Sequence, residues 1–184
     1  MRVVGGRLKG RNLASPSLRE IRPTADRLRE SLFNILIHAY DDPIRDARVL
    51  DLFAGTGALG IEAISRGAAF ALFVDNGTEA RALLRNNVEA LGLGGMTKVF
   101  RRDATDLGAA PPVEPFSLVL LDPPYHMKLA EKALASLRDG GWLKPNALLV
   151  VEEAKAAEFV APAGFEELER RVYDDTEFVF LRSA

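Results

Sequence analysis

A chain of 184 residues that is 48% hydrophobic and 27% charged, with a net charge of −2, has the size and composition of one globular domain with a hydrophobic core. It contains no cysteine and two histidines, which leaves no disulfide and no thiolate- or histidine-built metal site. No apolar run approaches the roughly 20 residues of a membrane helix, and Met1-Arg2-Val3-Val4-Gly5-Gly6 lacks the apolar stretch of a secretory signal, so a cytoplasmic protein without a membrane or metal partner is expected.

The charge is unevenly spread. Residues 1–29 carry eight cations against Glu20 and Asp26, a surplus of six, and the remaining 155 residues carry eight more negative charges than positive ones. A basic amino-terminal segment on an acidic body predicts an arm that grips a polyanion through Arg2, Arg7, Lys9, Arg11 and Arg22. The plainer alternative is a solvated arm whose cations offset the body. One domain spanning 1–184 is expected, divided into a basic arm (1–22) and a core (23–184). Around Gly5-Gly6 and Gly10 the arm reads as a short β-hairpin.

After a loop with Pro16, Pro23 biases Arg22 towards extended geometry and Thr24 is a good helix N-cap. The helix predicted over Ala25 to Tyr40 places Leu28, Leu32, Ile35, Leu36 and Ala39 on one face and Arg27, Glu30, Asn34 and His38 opposite. Arg29 falls inside the apolar arc. It either snorkels to the surface or points into a cleft to meet an anion, such as a ligand carboxylate or an RNA phosphate.

From residue 47 strands and helices alternate, the pattern of an α/β protein with a doubly wound, mostly parallel sheet. The first strand, Arg48 to Phe53, runs into Ala54-Gly55-Thr56-Gly57-Ala58-Leu59-Gly60, whose glycines fit Gly-x-Gly-x-x-Gly, and a helix follows to about Arg66. By itself that pattern is weak, and glycines that only let helix and strand pack closely would produce it too. Asp51 sharpens it. A carboxylate at the end of the first strand is badly placed for a pyrophosphate and suits a ligand with an ammonium and a sulfonium, as in S-adenosylmethionine. Asp51, Phe53, Gly55, Thr56 and Gly57 are therefore candidate cofactor residues, with Arg29 as a candidate partner for the methionine carboxylate.

The second strand, Phe70 to Asp75, ends in an acid 18 residues past Gly57. Asp75, with Asn76 beside it, is placed to accept ribose hydroxyls, or else to cap the helix predicted over Thr78 to Leu91. The third strand, Thr97 to Arg101, is closed by Asp103-Ala104, where an acid can take an adenine amine or cap the short turn to Leu107. The proline-rich stretch 109–115 is a stiff loop.

The fourth strand, Ser117 to Leu121, delivers Asp122-Pro123-Pro124-Tyr125. Two prolines force the chain out of the sheet in a fixed, extended shape. In that shape the Asp122 carboxylate and the Pro123 carbonyl can hold both protons of a planar NH2 group, leaving its lone pair free to attack a methyl sulfonium. Tyr125 would stack on the base carrying the amine, worth about 1–3 kcal/mol. An ordinary Pro-Pro turn with a capping Asp and a core Tyr is the alternative. A helix from about Lys128 to Leu137, ended by Gly140-Gly141, a fifth strand over Ala147 to Val151, and a closing hairpin, Glu166 to Tyr173 and Thr176 to Leu181, complete the chain.

Asp-Leu-Phe-Ala-Gly-Thr-Gly followed by Asp-Pro-Pro-Tyr resembles the class I methyltransferases that use S-adenosylmethionine to modify exocyclic amines. With Val4-Gly5-Gly6-Arg7-Leu8-Lys9-Gly10-Arg11 and the run from Arg22-Pro23-Thr24 to Leu36, the chain is similar to the RsmD family of bacterial ribosomal-RNA guanine-N2 methyltransferases over almost its whole length. The resemblance implies a seven-stranded sheet whose last strand is inserted antiparallel. It also implies methylation of one guanine of 16S rRNA (guanine 966), with the RNA in the small ribosomal subunit or an assembly intermediate. By position it puts Asp51, Phe53, Gly55 and Gly57 on the cofactor loop, Asp75 at the ribose, Asp103 at the adenine and residues 122–125 on the amine-binding loop. The residue after Thr24 is Ala25, where a second threonine is usual.

The expected mechanism is direct in-line transfer, since a chain without cysteine has no thiolate for a covalent route. Adenine N6 or a protein glutamine remains open as the accepting amine. A nicotinamide-dependent oxidoreductase is disfavoured by Asp51 and the Asp-Pro-Pro-Tyr loop. A catalytically silent RNA-binding protein would keep the basic arm alone.

Overall fold

The computed structural model describes residues 1–16, 23–125 and 127–184; Arg22, one of the cations expected to grip RNA, lies outside them. Short apolar runs bounded by Gly, Asp and Pro build β1 (Arg48–Leu52), β2 (Phe70–Val74), β3 (Thr97–Phe100), β4 (Phe116–Leu121), β5 (Leu143–Ala154), β6 (Phe165–Tyr173) and β7 (Thr176–Ser183). They form a seven-stranded sheet in the order β3-β2-β1-β4-β5-β7-β6. β1 to β5 pair in parallel, whereas β7 runs antiparallel to both its neighbours. The reason lies in composition. β7 carries the buried run Phe178-Val179-Phe180-Leu181 and sits inside the sheet, while β6, with Glu166, Glu167, Glu169, Arg170 and Arg171, forms the charged edge.

The helices α1 (Pro23–Ala39), α2 (Ala58–Ser65) and α3 (Thr78–Ala90) cover one face, and α4 (Leu129–Gly140) the other. Leu32, Phe33, Leu36, Ile61, Ile64, Leu84 and Val88 pack on Val49, Phe73, Leu118, Leu120 and Val150. On the opposite side Ala133, Leu134, Leu137 and Trp142 meet Leu50, Leu52, Val119 and Leu149. With both faces covered, the central strands read as continuous apolar runs rather than alternating ones.

Several local expectations are corrected. The first helix begins at Pro23, so Thr24 lies in its first turn instead of preceding it; proline is well suited to an opening position, where no N–H is required. Ala39, at the end of that helix, is exposed. β5 extends beyond Ala147 to Val151 in both directions, because β7 pairs with it as far as Ala154 and because a register shift opposite β4 accommodates Pro145.

The amino-terminal segment follows a hairpin path without forming two strands. Val3 N–H donates to Arg11 O (2.9 Å) and Gly10 N–H to Val3 O (2.8 Å), yet there is only the single bridge Arg2–Asn12, and a 3-10 turn, Gly6–Leu8, occupies the tip. Val3, Leu8 and Leu13 are buried, so the segment is docked on the core rather than projecting from it. The Leu8 N–H donates to Ser65 Oγ (2.9 Å), and Val4 N–H to Glu62 Oε2 (3.0 Å).

Candidate active site

The strand order reverses between β1 and β4, and at such a switch point the carboxyl ends of the strands open a crevice. The chain leaves β1 through three left-handed residues, Phe53 (φ 58°), Gly55 (φ 57°) and Gly57 (φ 83°), before α2 begins. A Cβ on Gly57 would lie 2.2 Å from Leu84 Cδ1, and one on Gly60 2.4 Å from the Phe73 ring. The glycines therefore serve both a turn and close helix–strand packing.

Three of the acids singled out in sequence are engaged by the loops they support. Asp51 is 1% exposed, and its Oδ2 accepts the Gly60 N–H at 2.9 Å. Burial pushes its carboxyl well up, the Gly60 hydrogen bond opposes this, and the charges of Asp122 and Asp75 add to the rise. Asp75 accepts Gly55 N–H on Oδ2 (2.9 Å) and Gly77 N–H on Oδ1 (2.8 Å). It thus clamps the glycine loop to the start of α3, whose N-cap position is Gly77. Each oxygen keeps a lone pair for a further donor. Asp103 Oδ1 accepts the Thr105 N–H (2.8 Å) and hydroxyl (2.7 Å), which hold the carboxyl below its usual range. The turn-capping role weighed for Asp103 is thus present.

A cavity of about 610 Å³ lies between the sheet edge and α1, lined by Asp51, Phe53, Gly55, Thr56, Asp122, Tyr125 and Glu152, with Arg29 and Leu32 of α1 above. A second, of about 440 Å³, runs over Phe53, Gly55, Asp75, Asn76 and Asp122-Pro123-Pro124-Tyr125. A notch of about 40 Å³, far below a ligand pocket by itself, opens among Phe53, Asp75, Asn76, Asp103 and Ala104. Phe53 borders all three, so the candidate cofactor residues other than Gly57, which lines none of them, border one continuous trough along the rim.

Arg29 does not snorkel. It is 5% exposed; its Nη2 donates to Asp26 Oδ1 (3.0 Å) and to the Arg2 carbonyl, and its Nε, 3.5 Å from Glu62 Oε2, makes no hydrogen bond. It is a cationic side chain in the lining of a largely acidic cavity.

Asp122 is open at the cavity mouth, while protein atoms crowd its carboxyl from the sheet side. Burial and then the charge of Glu153 push it up to about 7, a rise that solvent in the mouth moderates. Glu152 is pushed up to about 8 by burial first and the Asp122 charge second, with Arg29 opposing. Tyr125 is 44% exposed, and its hydroxyl is hydrogen-bonded with Thr176.

Sequence reading missed Glu152 and the β6–β7 turn, Tyr173-Asp174-Asp175-Thr176, which closes one side of the large cavity. The signal for Glu152 was present, an apolar run ending in an acid as at Asp51, Asp75 and Asp122. The turn carried none, because only the antiparallel insertion of β7 brings it to the rim. Of the basic residues expected to hold RNA, Arg2, Arg7, Lys9 and Arg11 are exposed on the docked segment, and Arg2 and Lys9 line a groove of about 350 Å³ beside α1. Among the described residues, no group of His, Asp and Glu is placed to hold a metal ion, and no helix is long and apolar enough to cross a membrane.

The chain matches the family model described as conserved hypothetical protein 95 over residues 1–182. It is 40% identical over 152 residues to ribosomal RNA small subunit methyltransferase D of Escherichia coli strain K12, covering 83% of this chain and 74% of that protein. To the protein of the same name in Haemophilus influenzae it is 37% identical over 164 residues, covering 88% and 83%. Among solved structures, the putative methyltransferase yhhF of Escherichia coli superposes with a TM-score of 0.83 at 32% identity, covering all of this chain and 97% of that one. A putative methylase from Haemophilus influenzae gives 0.80 at 32% identity over 100% and 98%.

Proposed function

Because the chain belongs to the conserved hypothetical protein 95 family, the RsmD-type methyltransferases, we propose that it transfers a methyl group from S-adenosylmethionine to the exocyclic N2 of a guanine in 16S rRNA. The observation that carries this reading is the meeting of Asp51 and the Asp122-to-Tyr125 loop on one cavity at the sheet's switch point. An acid-lined cavity suits a cationic donor, and the Pro-Pro-Tyr loop beside it suits an aromatic amine.

When bound, S-adenosylmethionine supplies a methyl group on a cationic sulfur. Asp51 and Glu152 offset its charge, Arg29 faces its carboxylate, Asp75 with Asn76 holds the ribose, and Asp103 with Ala104 borders the adenine. Asp122 and the Pro123 carbonyl orient the accepting nitrogen, Pro124 fixes the loop, and Tyr125 stacks on the base. Positioning of this kind is worth about 7–11 kcal/mol. The target guanine must leave its stack to reach Asp122, at a cost of a few kcal/mol. Arg2, Arg7, Lys9 and Arg11, with Arg22, hold the flanking backbone, which makes residues 1–22 the RNA grip and 23–184 the catalytic core. Kinship supports guanine 966 within a small-subunit particle, and hence a cytoplasmic enzyme.

The test is Asp122→Ala. Transfer of label from S-adenosylmethionine to small ribosomal subunits should be abolished while donor affinity stays within a few fold; near-normal turnover would sink the amine clamp. Running naked rRNA, intact subunits and stripped ribosomal protein in parallel separates a guanine acceptor from adenine N6 or a glutamine side chain once the labelled product is digested.

A further inference from the structure

We propose that Asp122 and Glu152 act as one acid pair that takes the proton leaving the methylated amine, with Glu152 the group on which it comes to rest. This deepens the reading of the site as an amine methyltransferase and rests on it.

The placement follows from register. Leu121 of β4 lies opposite Val151 of β5 in a parallel pair, so the next residues, Asp122 just past the end of β4 and Glu152 still within β5, lie side by side at the strand spacing of about 4.8 Å. Both continue the alternation of Leu118-Leu120 and Leu148-Val150, whose side chains belong to the core under α1, so both face that side and line the large cavity. Availability sets them apart. Asp51, Asp75 and Asp103 each hold backbone N–H groups, whereas among the described residues no hydrogen bond or ion pair engages the carboxyl of Asp122 or Glu152.

The charged and titratable groups around the pair are Asp51 from β1, Glu153 from β5, Arg29 from α1, Tyr125 from the amine loop, and Tyr173, Asp174 and Asp175 from the β6–β7 turn. In that acidic setting two adjacent carboxylates hold a proton between them near neutral pH. A sulfonium in the cavity offsets their repulsion and lets both ionise. In the transfer, the amine lone pair forms the new N–CH3 bond as the S–CH3 bond breaks, its electron pair going to sulfur. The sulfur is then a neutral thioether and the nitrogen a cation. The charge that kept both carboxylates ionised has gone as a proton must be accepted, so the proton passes from nitrogen to Asp122 and on to Glu152, which releases it to solvent through the cavity. Arg29, opposing the upward shift of Glu152, keeps that residue a usable base.

The test is proton release on ligand binding to the full-length protein, read by titration calorimetry at pH 7 to 8 in two buffers of different ionisation heat. S-adenosylmethionine should release on the order of one proton, and the neutral product S-adenosylhomocysteine markedly less. Glu152→Gln should abolish the difference. It should also lower turnover on small subunits by about 10²-fold and remove the acid limb of the pH–rate profile, with Glu152→Asp restoring part of each. Equal proton release for the two ligands in the wild type, or an unchanged profile in Glu152→Gln, overturns the proposal and leaves the methyltransferase reading standing. A wild type that methylates no amine acceptor overturns both.

Discussion

Asp51, Asp75, Asp103, Asp122 and Glu152 all stand near the carboxyl ends of the sheet's strands, yet they differ in what they can do. The first three spend lone pairs on the loops that shape the trough; the last two do not. That difference has a stability consequence. Glu152 in the folded protein holds its proton up to about 8, whereas an unfolded glutamate gives it up near the ordinary 4.5. Between those values the folded state binds more protons than the unfolded one, so this group's contribution is full below pH 4.5 and is lost as pH rises towards 8. The melting temperature without donor should therefore decline across that window, and less steeply in Glu152→Gln; identical slopes would count against a carboxyl whose proton is held by burial and by the Asp122 charge. Gly57 makes the complementary point: its φ of 83° and its approach to Leu84 are backbone requirements that no chemistry at the site explains.

At the scale of elements, α2 is the hub that joins the amino-terminal segment to the sheet rim. Its Glu62 is fully buried and receives Val4 N–H (3.0 Å), Arg66 Nε (2.9 Å) and the charge of Arg29 Nε (3.5 Å). One turn on, Ser65 donates its hydroxyl to Gly5 O (2.6 Å), and Gly6 passes so close to the Ser65 carbonyl that only a glycine fits. On α3, Asn87 ties the same segment to the glycine loop after β1, donating to Ala14 O (3.2 Å) and Thr56 O (2.9 Å). Glu62→Ala would strand the Arg66 guanidinium and a backbone donor and take one of two acidic partners from Arg29, so a loss of about 3–5 kcal/mol is expected in urea unfolding. A loss below about 1 kcal/mol would mean that the segment is held by its apolar residues alone.

Over the whole molecule, exposed cations cluster on the docked segment while acids gather at the rim, which sets a positive flank beside a negative cavity. On the proposed function, such a field suits an RNA whose backbone meets the flank and whose base enters the cavity. Reversing the charge of Arg7, Lys9 and Arg11 should weaken binding to small-subunit RNA and flatten its salt dependence by about two units of slope, at roughly 0.7 per single-strand phosphate contact; an unaltered slope would put the RNA grip elsewhere. Sequence alone determined the order of strands and helices, the glycine loop after β1, the Asp-Pro-Pro-Tyr loop after β4 and the basic segment. Each of these is written in contiguous residues, in the period of the apolar positions, the glycine spacing, the paired prolines and the local charge. It also led to the family. Only the tertiary structure decided that the basic segment is docked on α2, that Arg29 is buried beside Glu62, and that Glu152 beside Asp122 and the Tyr173-to-Thr176 turn line one cavity. Those facts depend on which strands lie side by side and in what register, and pairing between segments distant in the chain leaves no trace in the local pattern of either one.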